Sequence, residues 1–366
     1  MGAIRDIMIR FGPGYLERFD DRMPKAHRRA LLDIVSCRTK AMGGHMRQCE
    51  CCGDLEFVPH SCRDRMCPQC HRVEIDDWIA ARALQILPAR YFHLTFTIPE
   101  RFRPPVRQHQ KELEGALIRS AAEAVQTLAR DRLHGKLGFI AAIHSWGRPM
   151  NWHPHVHILV PALVVHNDGG FSRPRAKRSL LPLKPLSRVF AGIFVREFRK
   201  ILPDEPPPPR QPGDWVVNSR LCGEGPGRVI GYHGRYAKRA PIADSAIVSI
   251  DDGEIVFRYK DHRSGDSRLC RVSPHEFIRR LLQHTPPPGF HRLRYYGFLA
   301  PGAHNTLRAL VAALLPEAAS IAEQVARLRE PSLTREPARC KICGATQFTI
   351  FGFLPPLHAS IPRVPP

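Results

Sequence analysis

Seven of the chain's 11 cysteines lie between Cys37 and Cys70, and two pairs among them, Cys49-Glu50-Cys51-Cys52 and Cys67-Pro68-Gln69-Cys70, have the spacing of metal knuckles. A turn of that length points two thiolates at one ion, and two such turns complete a tetrahedral set. Zinc is the natural occupant, because thiolates are soft ligands and a closed set leaves no open position. The spacing predicts a small structural zinc module with Cys49, Cys52, Cys67 and Cys70 as ligands; the plainer alternative is buried, unligated cysteine. Cys37, His45, His60, Cys62 and His71 are surplus ligand types in this stretch and candidates for a second site. Arg63 and Arg65, interleaved with the cysteines, suggest that the module touches DNA. Far downstream, Cys340-Lys341-Ile342-Cys343 forms a single knuckle whose partner is not visible in the spacing.

Charge narrows the partner. Across 366 residues, 55 Lys+Arg stand against 34 Asp+Glu, a formal net charge of +21, and the expected partner is a polyanion. Arg supplies 45 of the basic residues, which suits bidentate contacts to phosphate, although a GC-rich genome would also raise Arg and Pro. A hydrophobic share of 43% excludes disorder of the whole chain. Charges at Arg5, Asp6 and Arg10 interrupt any signal-like apolar run. The longest apolar stretches fall short of the roughly 18 residues of a membrane span. A cytoplasmic protein with no membrane partner is expected, and its thiols then read as metal ligands or core residues rather than disulfides.

Three regions follow: 1–88, an N-terminal helix plus the zinc-binding, DNA-contacting domain ending at Pro88; 89–300, a catalytic domain with a Pro-rich insertion near 204–213; and 301–366, a helical tail carrying the last knuckle. Within them, apolar spacing predicts helices over Ile75–Leu87, Ala116–Leu133, Leu186–Leu202 and Thr306–Leu328. Strands are expected over Tyr91–Ile98, and over Gly138–Trp146 and His155–Val165 as a hairpin. Asp251-Asp252-Gly253 reads as a second hairpin turn, and Ser273-Pro274-His275-Glu276 as a capping box. Arg228–Arg239 reads as a basic helix, and the Pro-rich end shows no periodicity.

The most chemically loaded segment is His153-Pro154-His155-Val156-His157. On a strand, His155 and His157 project from one face, where two imidazoles can hold a divalent ion and leave positions open for a substrate oxygen. If Gly147–Trp152 is the turn, His144 on the preceding strand lies opposite His155 or His157 and offers a third ligand; a one-residue slip would turn it away. A nucleophile is available downstream: Tyr232 and Tyr236 are one helical turn apart, among Arg235, Lys238 and Arg239. These cations would neutralise a phosphate and help the phenol ionise.

The segment Ile143–Gly147, the histidine strand, Tyr232-x-x-x-Tyr236 and Gly289–Gly297 occur in an order that resembles the insertion sequence 91 family of rolling-circle transposases. The Cys/His-rich start, Cys37 through Cys70, is similar to that family's zinc-binding N-terminal domain. The resemblance implies an α+β fold, in which an antiparallel-sheet endonuclease domain with helices is preceded by a small zinc-binding domain and followed by a helical or irregular tail. It also implies a histidine-hydrophobic-histidine centre binding Mg²⁺ or Mn²⁺, nicking and rejoining of single-stranded DNA at the element ends in the bacterial nucleoid, and a 5′-phosphotyrosine formed by Tyr232 or Tyr236. Cys51, an extra thiol inside the first knuckle, departs from the pattern.

Other readings share parts of the string. A replication initiator or relaxase uses the same chemistry on different DNA. A histidine-triad nucleotide hydrolase also carries alternating histidines, but needs no tyrosine, metal module or basic surface. A non-enzymatic zinc regulator requires the histidine strand to be structural.

Overall fold

The computed structural model describes residues 2–70, 87, 89–209, 211, 213, 215–223, 240–261, 264–314 and 338–356. The basic helix expected over 228–239 lies outside them, as does all but Leu87 of the helix expected over 75–87.

The architecture is α+β. A five-stranded antiparallel sheet is built from β3 (Tyr91–Thr97), β5 (Phe139–Trp146), β6 (Trp152–Pro161), β9 (Val216–Gly223) and β13 (Leu293–Tyr296), in the order β13-β5-β6-β3-β9, and the short β4 (Lys136–Leu137), β7 (Val164–Val165) and β8 (Phe171–Ser172) pair as a separate sheet. Alternation gives it two different faces. Phe92, Leu94 and Phe96 of β3, Ala141 and Ile143 of β5, and Val156 and Ile158 of β6 are buried in the main core. They share it with α4 (Gln110–Leu133) and α5 (Leu183–Ile201), which follow the short α3 (Arg103–Gln108). In α5, Phe190, Phe194 and Phe198 recur at helical spacing and are fully buried, and the Phe190 ring meets Phe96 edge-on at 5.1 Å. Residues of the opposite parity (His93, Thr95, His144, His155 and His157) therefore belong to the other face.

A second core joins α1 (Ala3–Phe19) and α2 (Lys25–Ser36) to β10 (Ile247–Ile250), β11 (Ile255–Lys260), β12 (Ser267–Val272) and α6 (Pro274–Leu282). Ile7, Met8, Leu31, Ile34, Phe257 and Phe277 meet there together with Cys37, Cys62, Cys67 and Cys70. The expected capping box is formed: Ser273 Oγ accepts from the Glu276 N–H at 3.3 Å, and Pro274 starts the helix.

The N-terminal helices share a core with residues 242–282. One expectation is corrected: the C-terminal end is not without periodic structure. β14 (Phe348–Leu354) pairs antiparallel with β1 (Gly44–Cys49), which pairs in turn with β2 (Leu55–Pro59). The strand was hard to read because most of its side chains are exposed on both faces, so burial leaves no alternation in the sequence. Of the helical tail expected from 301, α7 (His304–Ala313) is described.

Candidate active site

β5 and β6 form the hairpin on which the histidines sit. Its turn is tighter than expected: the Gly147 N–H donates to the Asn151 carbonyl at 2.8 Å, and β6 begins at Trp152. In the resulting register His144 is directly opposite His155, and Ala142 opposite His157. One ring nitrogen each from His144, His155 and His157 then lies within 4.8 Å of the others. His144 and His157 are buried and His155 half-buried, so the cluster sits in a partly desolvated recess on a rigid sheet.

The hydrogen bonds around these rings decide which nitrogen faces an ion. His155 Nδ1–H donates to the His153 carbonyl at 2.7 Å. His157 Nδ1 lies 2.8 Å from His93 Nε2 on β3, with Thr95 Oγ1 at 3.4 Å. Burial first, and then the proximity of His155 and Arg220, pulls His93 down to about 4, so at neutral pH its ring is uncharged and Nε2 can accept from His157 Nδ1–H. With Nδ1 engaged in both rings, Nε2 is the atom each presents to a metal, the usual arrangement of a ligating histidine and its supporting acceptor. The donor set therefore fits a divalent ion.

Behind His144 lies a buried polar layer. The Trp146 ring stacks on His144 at 4.4 Å, and Trp152 stacks on His284 at 5.9 Å. Ser145 Oγ lies 3.2 Å from His284 Nδ1. Arg107 covers the Trp152 ring at 4.5 Å, and Arg292, whose pKa burial lowers to about 10, lies over Trp146 at 5.8 Å. Arg107 and Arg292 bring positive charge to this layer.

The cysteines assemble differently from the expected set. Cys67 and Cys70 are grouped with Cys37 and Cys62, whereas Cys49 and Cys52 are grouped with Cys340 and Cys343. In the first cluster Cys70 Sγ lies 3.5 Å from Cys37 Sγ and 3.6 Å from Cys62 Sγ. In a tetrahedral site with zinc–sulfur bonds of about 2.3 Å, ligand sulfurs stand about 3.8 Å apart, so these spacings fit zinc and exclude disulfides. Spacing shows which cysteines form a knuckle but not which knuckles meet.

Arg63 and Arg65 are exposed beside this first cluster, and Arg65 Nη1 donates to the Phe290 carbonyl at 3.4 Å. Tyr232, Arg235, Tyr236, Lys238 and Arg239 lie outside the described residues. Sequence reasoning passed over His93 and His284. His93 stands on the alternating strand Tyr91–Thr97, but its partner is fixed only by the long-range pairing of Thr95 with His157.

A family model described as "Transposase zinc-binding domain" matches residues 7–98, and one described as "Putative transposase" matches residues 138–306. Similar proteins include "Putative transposase y4qJ" of Sinorhizobium fredii (strain NBRC 101917 / NGR234), 36% identical over 323 residues that cover 81% of this chain and 80% of that protein. "Transposase for insertion sequence element IS801" of Pseudomonas savastanoi pv. phaseolicola is 27% identical over 343 residues, covering 85% and 80%. No solved structure matches the chain.

Proposed function

This chain belongs to the insertion sequence 91 family of transposases, and from that premise we propose that it nicks and rejoins single-stranded DNA at its element's ends by tyrosine transesterification, in the rolling-circle manner. The observation that carries this reading is the cluster of His144, His155 and His157 on one sheet face, oriented by His93 and the His153 carbonyl.

The three histidines would hold Mg²⁺ or Mn²⁺, which when bound supplies Lewis-acid polarisation of the scissile phosphate. The protein's own groups do the rest. His93 keeps His157 in the tautomer that presents Nε2, and the sheet fixes the spacing of the rings. The hydroxyl oxygen of Tyr232 or Tyr236 attacks phosphorus in line; a bond from tyrosine oxygen to phosphorus forms, and the bond from phosphorus to the 3′-oxygen breaks. The departing oxygen takes up a proton as a 3′-hydroxyl, and the 5′-phosphotyrosine conserves the bond for rejoining. Arg235, Lys238 and Arg239 neutralise the phosphate and favour the phenolate. Arg63 and Arg65, both exposed, are available for phosphate contact. A replication initiator or relaxase would share these steps, but the family match favours the transposase.

The test uses a single strand from the element's own end, labelled at its 3′ end, with Mg²⁺. The native protein is expected to give a covalent adduct that survives denaturation. Tyr232→Phe combined with Tyr236→Phe is expected to abolish it while binding persists. Adducts that survive in the double variant overturn the assignment.

A further inference from the structure

The knuckle at Cys340 and Cys343 lies outside both family matches, which end at residues 98 and 306. In space it faces the knuckle at Cys49 and Cys52. Cys49 Sγ is 3.6 Å from Cys343 Sγ, Cys52 Sγ is 3.6 Å from Cys340 Sγ, and the four sulfurs lie within 4.8 Å of one another. We propose that Cys49, Cys52, Cys340 and Cys343 hold a second structural zinc ion, separate from that of Cys37, Cys62, Cys67 and Cys70, and that this ion clasps the C-terminal strand onto the N-terminal sheet.

Three observations carry the assignment. The first is that the two knuckles repeat one backbone design. Gly53 N–H donates to the Cys49 carbonyl at 2.9 Å, and Gly344 N–H donates to the Cys340 carbonyl at the same distance. Each knuckle closes with a further bond, Cys49 N–H to the Asp54 carbonyl at 2.8 Å and Cys340 N–H to the Ala345 carbonyl at 2.7 Å. Gly53 and Gly344 have φ of 74° and 75°, left-handed values that a side chain would strain. The Ile342 N–H also points at Cys340 Sγ, 3.4 Å away, as amides do toward a metal-bound thiolate.

The second is the separation of the sulfurs. At 3.6 Å they are far beyond the roughly 2.05 Å of a disulfide and close to the spacing of a tetrahedral zinc site. Four thiolates at such separations repel one another unless a cation lies between them.

The third is that, among the described residues, little apolar surface of β14 is buried against β1 and β2. Ile350, Phe351, Phe353 and Leu354 on β14 are exposed, Phe353 at 73%. Polar ties remain at its margin: Lys341 Nζ to Glu56 at 2.8 Å, and Thr349 Oγ1 donating to Glu50 at 2.9 Å. Exposed contacts of this kind contribute little. Three strands with so little core need a staple, and the metal is where that free energy enters.

Zinc is measured in the full-length protein by elemental analysis, and cysteine accessibility by maleimide labelling read peptide by peptide. Two zinc ions per chain are expected, with Cys340 and Cys343 protected until a chelator is added. Cys340→Ser combined with Cys343→Ser should leave one zinc; Cys51→Ser should leave two. A native ratio of one, or a ratio of two unchanged in the double variant, overturns the proposal. If the double variant does not fold, labelling of the native protein decides: Cys340 and Cys343 that react freely before chelation overturn it. None of these readings depends on DNA cleavage, so failure here and failure of the transesterification reading are distinguishable.

Discussion

His93 stands 2.8 Å from His157 and, through it, orients the proposed catalytic centre. Replacing it with Ala removes the acceptor that holds His157 Nδ1–H but leaves His144, His155 and His157 in place. Supporting residues of this kind typically change metal affinity or activity by about 10–100-fold. His93→Ala is therefore expected to slow cleavage by that order and to raise the Mg²⁺ concentration needed, with oligonucleotide binding unchanged and His93→Gln recovering part of the loss. A metal titration of cleavage rate checks it. The three histidines of the hairpin were legible in the sequence because alternation and one short turn fix their relation. His93 was not, because its place depends on pairing between strands far apart in the chain, His93 and His157 being separated by 64 positions. The cysteines divide in the same way: the knuckles are local and readable, while the grouping of Cys49 with Cys343 is set by the fold.

At the scale of elements, amphipathic helices and strands with one buried face were readable, because burial writes its period into the chain. Leu183–Ile201 shows this with its phenylalanines, as does the Tyr91–Thr97 strand. α4 carries a polar exception within its buried face. Glu114 is buried there, with Gln110 Nε2 donating to it at 3.4 Å and Arg107 and Arg292 the cations that act on it. Burial raises its carboxyl to about 8 despite these cations. The folded state therefore keeps a proton that the unfolded state loses at the ordinary Glu value. Stability should fall as pH rises from that value toward about 8, by up to about 1.4 kcal/mol per pH unit from this group, and level off above it. Glu114→Gln should remove that slope, as read by denaturant midpoints across this range.

At the scale of the molecule, the formal charge of +21 predicts how DNA is held. Each phosphate contact to a single strand adds about −0.7 to the slope of log affinity against log salt. Binding of the element-end oligonucleotide should weaken steeply with salt, and Arg63→Ala should flatten the slope by about one such contact. Fluorescence anisotropy across a salt series measures both; a flat native response would remove the basic surface from recognition. Among the described residues, no helix is long and apolar enough to cross a membrane. The sequence pointed to α+β, and the structure is α+β. What could not be read was how the regions interlock, since α1 and α2 share a core with β11 and α6 through contacts far apart along the chain.

The pairing of β14 with β1 also bears on how the protein is made. Cys343 follows Cys49 by 294 positions, so the sheet that contains β1 is completed only after residues 348–354 have left the ribosome. Until then β1 has an open edge, the kind of surface that recruits other chains or chaperones. A chain that stops before residue 348 lacks β14 and leaves β1 paired with β2 alone, its other edge open to foreign strands.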